Sequence, residues 1–307
     1  MKKIYTLLAL TITFSMNAQV STNSTSPTGI YASAMGNGTT ASGNESTAMG
    51  YDTTASGEAS TAMGYSTTAS AESSTAMGRC TTANGTRSTA MGYNTTASGF
   101  TSTAMGSSTT ASGNVSTAMG ALTTASGLVS TAMGYDTTAS DYASLVIGQF
   151  NSSGSSVTNS ATVFNTANTA FVIGNGTSGS FSDAFKVMFN GDATVSNDLT
   201  VSGDVNISSD ARLKSNIVSL GSTLPKLLQI DGKSYEMKGK QKIGVLAQEI
   251  QKVFPELVSE DDNEMLAVNY QGLVPVLINA LKEQESKIID QQTQIDELKE
   301  LVNKFID

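Results

Sequence analysis

The chain has 307 residues, 17 Lys plus Arg against 26 Asp plus Glu, a net charge of -9, one Cys and no His or Trp. Without His there is no Ser-His-Asp triad, Cys-His dyad or His-based metal site, and a lone Cys makes no intrachain disulfide, thiolate zinc cluster or CxxC redox pair. The acidic balance and the lack of a basic, aromatic-rich patch argue against nucleic acid as a partner, and nothing in the composition calls for a cofactor or a metal.

The first stretch, "MKKIYTLLALTITFSMNAQV", places Lys2 and Lys3 before an apolar run that ends at small residues. This predicts a secretory signal peptide over residues 1–18, cut near Ala18. The apolar run is short for a membrane span, and no later stretch is apolar enough for one. The expectation is a protein secreted or held at the cell surface, with no transmembrane anchor in the chain. Residues 19–31 read as an N-terminal linker.

Residues 32–148 form a repeat array. "STAMG" begins at Ser46, Ser60, Ser74, Ser88, Ser102, Ser116 and Ser130, after "ASAMG" at Ala32 and before "SLVIG" at Ser144. The closing glycines run from Gly36 to Gly148 at intervals of fourteen, and "TTASG" half-repeats lie between them. Fourteen residues divide into two short strands and two turns, and stacked turns make a solenoid. Alternation in "STAMG" sends Ser, Ala and Gly one way and Thr and Met the other. An interior of Ala, Ser and Gly alone predicts a very narrow coil. The methionine row, Met35 to Met133, then lies outside, and a coil that buries so little apolar area calls for an oligomer in which the rows meet. A disordered Ser/Thr/Gly stalk is disfavoured by the strict register. A flat ice-binding threonine surface is disfavoured because no long Thr-x-Thr ladder faces one way. Cys80 reads as a small residue at a variable repeat position.

This array resembles the head repeats of the YadA-like trimeric autotransporter adhesins. The resemblance implies left-handed parallel β-rolls, three side by side, and a role in adhesion. Those adhesins end in a membrane-embedded β-barrel, a pattern not seen in the last hundred residues here.

Residues 149–208 keep a β-like alternation without the period and predict a β-rich connector or shaft. "ATVSNDLTVSGDVNI" has its own rhythm of Val195, Leu199, Val201, Val205 and Ile207. Asp183, Asp192, Asp198 and Asp204 read as turn formers. From residue 209 the composition becomes charged and helix-forming. A short helix is expected in "STLPKLLQI", with Ser222 as N-cap and Pro225 in its first turn. "KIGVLAQEIQKVFPELV" predicts a strand entering a helix that stops before Pro255, and "EMLAVNY" a further strand. Over residues 274–305 the a positions are Val274, Leu281, Ile288, Ile295 and Val302. The d positions are Leu277, Gln284, Gln291, Leu298 and Phe305. Spacings of three and four alternate without a break, which predicts a left-handed coiled coil rather than one amphipathic helix on its own domain.

"SSDARLKSNI", "KIGVLAQEIQKVFPELV", "VNYQGLVPVLINALKE" and the terminal heptads together resemble the endosialidase-type intramolecular chaperone domain of phage tail fibres. The resemblance implies a domain at 209–307 that trimerises, helps the upstream β-structure fold, and then cuts itself free at a Ser-Asp bond. A serine and a lysine five residues later carry the cut. Here they are Ser209 and Lys214, and the scissile bond joins Ser209 to Asp210.

A serine–lysine pair works without His when the lysine serves as a neutral amine. Arg212 either adds positive charge beside Lys214 or binds the Asp210 carboxylate; both remain open at this point. Attack by Ser209 on its own carbonyl would close a four-membered ring. The Ser209–Asp210 bond therefore calls for a serine of another chain or an activated water, whereas an N→O shift would break Ser208–Ser209. Gln248 and Glu249 either line the cleavage site or only pack and cap.

The expectation is a mainly β protein with an α+β C-terminus: a homotrimeric β-roll, a β-rich shaft, and a small chaperone domain ending in a coiled coil. Its enzyme activity is a single self-cleavage by a Ser-Lys endopeptidase, and its partner is itself. One alternative keeps the C-terminal domain uncut as a trimer clamp. A glycan-degrading phage-type fibre is disfavoured by the signal peptide and by a head without aromatic platforms or a carboxylate pair.

Overall fold

A computed structural model describes residues 22–306 apart from 153, 156, 158, 262 and 263, so the signal peptide expected over residues 1–18 lies outside the described residues. The chain divides into two compact units, 1–204 and 205–307.

The first unit is mainly a parallel β-solenoid. The repeats "TAMG" plus one residue form the long strands, from Ser33–Asn37 to Leu145–Gln149, and the "TA" of each "TTASG" forms a two-residue strand. Each long strand pairs with its counterpart fourteen residues on: Ala90 lies opposite Ala104, Met91 opposite Met105, Gly92 opposite Gly106. The short strands pair likewise, Thr96 with Thr110 and Ala97 with Ala111. Every turn therefore offers its backbone donors and acceptors to the next turn in one register, as the fourteen-residue period predicts.

The interior is a double column of alanines, fully buried from Ala41 to Ala139, with Ala34 at the first long strand only half-buried. The serine before each long strand is buried too, and Ser46, Ser60 and Ser102 donate their hydroxyls to the carbonyls of Gly43, Gly57 and Gly99. The interior is not limited to Ala, Ser and Gly. The first threonine of each "TTASG", from Thr39 to Thr137, is also fully buried. Its Oγ1 has no hydrogen-bond partner among the described residues. The short strand starts one residue after this threonine, and alternation through Ala55 turns Thr53 inward.

Two corners per turn are left-handed. Asp52, Ser66 and Cys80 stand at one, with φ of 53°, 52° and 55°, and Ala59, Ser73 and Arg87 at the other, with φ of 52°, 54° and 57°. The glycine closing each long strand is a separate requirement. Gly92 has φ 123°, and a Cβ built on it would overlap the Gly106 carbonyl oxygen.

Outside the long-strand sheet the methionines form the expected row in register. Beside them lies an aromatic ladder, although the head was expected to lack aromatic platforms. Tyr51 and Tyr65 stack at 5.1 Å with 7° between their planes. The Arg79 guanidinium follows, 5.5 Å from the Tyr65 ring and 5.6 Å from the Tyr93 ring. The signal was recurrence at the position after the closing glycine. Cys80 is exposed, with a free thiol.

The roll starts earlier than expected. Thr22–Asn23 and Ser26–Pro27, inside the stretch read as a linker, pair with Gly36–Asn37 and Thr40–Ala41. The backbone makes those pairs without the repeat motif.

At the other end the sheet continues past the array. Thr169–Asn175 adds in parallel to Leu145–Gln149, and Asp183–Met188 and Ala193–Val195 then follow antiparallel. Asp141 closes the last turn. It stands where earlier turns have Gly113 and Gly127, it is fully buried, and its Oδ2 accepts from the amides of Ser155 and Thr169 at 2.8 Å each. Burial works to raise its pKa, but the two amides outweigh it and hold it below the usual aspartate value. Asp183 is not a turn former: it begins a strand, and its Oδ1 accepts from the Ser152 amide. The β-rich shaft expected up to residue 208 also stops early. Between Val195 and Ser208 the chain forms no strand, and Leu199, Val201, Val205 and Ile207 are exposed.

The second unit is a small α+β module. Lys233–Met237 and Lys240–Gly244 form a hairpin whose two-residue turn, Lys238–Gly239, has positive φ at both positions, as a tight hairpin requires. Ala247–Val253 is a helix, followed by the hairpin of Val258–Glu260 and Leu266–Val268. These elements match the expected strand, the helix ending before Pro255, and the further strand. The core is Ile250, Phe254 and Val276, with Leu227, Val245 and Val268 packed against it. A single helix then runs from Leu273 to Ile306, 34 residues. Among the described residues no helix is long and apolar enough to cross a membrane.

Candidate cleavage site

Residues 205–221 are exposed throughout, so the geometry around Ser209 is local. A single turn of 3-10 helix, Ala211–Leu213, sets it. Asp210 is its N-cap: the extended backbone of Asp210 (φ -61°, ψ 134°) lets its carboxylate reach forward to the Arg212 amide at 2.8 Å. The Leu213 amide bonds to the Asp210 carbonyl and the Lys214 amide to the Ala211 carbonyl. This turn folds the chain back on itself. Five extended residues would separate Lys214 from Ser209 by about 17 Å. Instead Lys214 Nζ donates to Ser209 Oγ at 2.7 Å.

The structure thus brings Ser209 and Lys214 into contact beside the bond to Asp210. Of the two contacts open to Arg212, the structure shows the one with Asp210. Arg212 Nε lies 3.1 Å and 3.2 Å from the two Asp210 oxygens, and Nη2 lies 2.7 Å from Oδ2. Its side-chain hydrogen bonds, then its backbone amide, hold the Asp210 carboxyl below the usual range. The arginine pK is raised by the same pair.

Gln248 and Glu249 stand in different surroundings. Glu249 accepts from the Asp231 amide at 3.3 Å and lies 3.6 Å from Lys233 Nζ. Gln248 lines an open pocket of about 310 Å³ with Tyr235, Leu246, Met265 and Tyr270. Neither hydrogen-bonds to Ser209 or Lys214.

Sequence reasoning missed Glu283. The short helix is Leu224–Leu227, and its N-cap is Thr223 rather than Ser222, without a side-chain cap of its own. Glu283, from the long helix, caps it instead. Its carboxylate accepts from the amides of Thr223 and Leu224 at 2.5 and 3.2 Å and from the Ser222 hydroxyl at 2.7 Å. The Thr223 amide and the Ser222 hydroxyl hold the Glu283 carboxyl below its usual range. No local signal marks a cap supplied from sixty residues away.

Comparison with known families divides the chain as its composition does. The YadA head domain repeat matches residues 28–53, 55–79, 83–99, 97–123 and 125–151. The family described as chaperone of endosialidase, a peptidase family, matches residues 209–259, a span that starts at Ser209 and includes Lys214. No curated protein matches the chain. The solenoid carries YadA-type head repeats, and the segment that opens with the Ser209–Lys214 contact is of the endosialidase-chaperone type.

Proposed function

We propose that the chain is an exported, homotrimeric, adhesin-like fibre whose C-terminal unit, residues 209–307, trimerises, assists folding of the roll and then cuts itself free between Ser209 and Asp210. The observation that carries the reading is the 2.7 Å contact of Lys214 Nζ with Ser209 Oγ at the first residue of the chaperone-type segment. Folding logic supports it. Every turn of the roll resembles the next, so three chains need a common starting register, and heptads at the C-terminus supply one. Cutting at the seam makes the assembly hard to reverse.

The chemistry follows from the pair. Lys214, as a neutral amine, takes the proton of a Ser209 hydroxyl. The oxygen adds to the Ser209 carbonyl carbon of a second copy, since its own carbonyl would close a four-membered ring. The C–N bond to Asp210 breaks, and the lysine returns the proton to the departing α-amine. One water then hydrolyses the ester, leaving a Ser209 carboxylate and an Asp210 amine.

Intact-mass analysis of the leaderless protein beside Ser209→Ala tests this, with light scattering for the trimer. The expected result is a wild-type fragment that begins at Asp210 and is absent from the variant. A fragment beginning at Ser209 would move the cut to the Ser208–Ser209 bond by an N→O shift. A single uncut mass from both trimers would leave a permanent trimer clamp, a reading favoured by the full exposure of the turn in the single chain.

A further inference from the structure

We infer that Arg212 is a positioning residue for self-cleavage: it occupies the Asp210 carboxylate on both oxygens, and so keeps that carboxylate off Lys214 and leaves the lysine to Ser209. The inference rests on the self-cleavage reading above.

Three charged side chains share one turn: Asp210, Arg212 and Lys214. A carboxylate with two cations close in sequence can pair with either. The Arg212 fork takes both oxygens with contacts of 2.7–3.2 Å, and its amide adds a fourth bond at 2.8 Å. A two-pronged guanidinium fits a carboxylate better than an ammonium does. Two consequences follow. The turn Ala211–Leu213 is held closed at its first residue, and the closed turn places Lys214 Nζ on Ser209 Oγ. Lys214 is also spared an ion pair that would keep it as an ammonium, a form with no lone pair to accept the serine proton. Arg212 does not act by lending positive charge to Lys214, because its charge is already balanced by Asp210.

The rival role predicts a different outcome once Asp210 is also replaced, so variants of the full leaderless chain separate the two. The chain is released from denaturant at a series of pH values, and the rate at which the Asp210 fragment appears is followed by intact mass. Arg212→Gln frees Asp210 for Lys214. Cleavage is expected to slow by roughly tenfold to a hundredfold, and its half-maximal pH to move upward. Adding Asp210→Asn removes the competing carboxylate and returns the half-maximal pH to that of wild type. The inference is overturned if Arg212→Gln cuts like wild type. It is equally overturned if the double variant keeps the raised pH, which would mean that Arg212 acts through its own charge.

A second readout covers variants that do not cut. In the Ser209→Ala background, the pH dependence of acetylation at Lys214 is measured by peptide mass mapping with and without Arg212→Gln. A shift to higher pH in the variant that added Asp210→Asn reverses supports the inference; an unchanged profile, or a shift that Asp210→Asn leaves in place, sinks it. Absence of cutting in wild type would defeat the self-cleavage reading itself, and the acetylation profiles would still decide what Asp210 pairs with.

Discussion

The two units solve the burial of apolar surface in opposite ways. In the roll each alanine finds its partner in the next turn of the same chain, and the interior columns are sealed along their length. In the C-terminal unit the closed core is three residues and their neighbours, while the long helix leaves its apolar seam open. Leu281 is 69% exposed, Leu298 60% and Phe305 89%. A seam of a and d residues left uncovered by its own chain is what the proposed trimer would bury. The roll pairs its interior within the chain, whereas the C-terminal unit exposes a seam that its own chain leaves uncovered.

Breaking either half tests that division. The largest effect is expected from Ile288→Asp with Ile295→Asp, which puts charge into the seam. Association measured by sedimentation should weaken by roughly a thousandfold or more, with the separately folded hairpins of the unit retained. Next is Gly92→Ala in the roll. A methyl group there meets the Gly106 carbonyl at a φ that side chains rarely adopt, so denaturant unfolding should show a loss of about 3 kcal/mol or more, with the helix signal unchanged.

Asp141→Asn should cost about 2 kcal/mol by loosening the closing loop. Because the folded pKa of Asp141 is depressed, its contribution is complete at neutral pH. It is lost as pH falls through the lowered value, below about pH 4, and a pH series of melting temperatures should show the wild type losing that margin over the variant. The smallest change is a gain. Thr95→Val removes a buried hydroxyl that has no partner and keeps the shape, so the roll should melt higher, by about 1 kcal/mol of stability.

Much of the roll was legible because its information is periodic. Ala90, Met91 and Gly92 sit opposite their repeats with no exception that local propensity had to explain. The buried threonines were missed because a β-branched polar residue reads equally well on either face of a short strand. Asp141 was missed because its partners, Ser155 and Thr169, lie where the period has ended. The heptads announced the long helix, but the cap from Glu283 depends on a contact that no spacing encodes. At the candidate cleavage site, the family resemblance singled out Ser209 and Lys214. Charge alone gave Arg212 two partners, and only the turn geometry shows it on Asp210.

The uniform register of the roll makes it a ruler. Neighbouring strands stand about 4.8 Å apart, so removing or inserting one fourteen-residue unit changes the length of the head by about that step. The joined turns would again place Ala on Ala, Met on Met and Gly on Gly, and every corner would keep its left-handed residue. Reach can therefore be adjusted in single increments without redesigning the interior, the closing loop at Asp141 or the C-terminal unit.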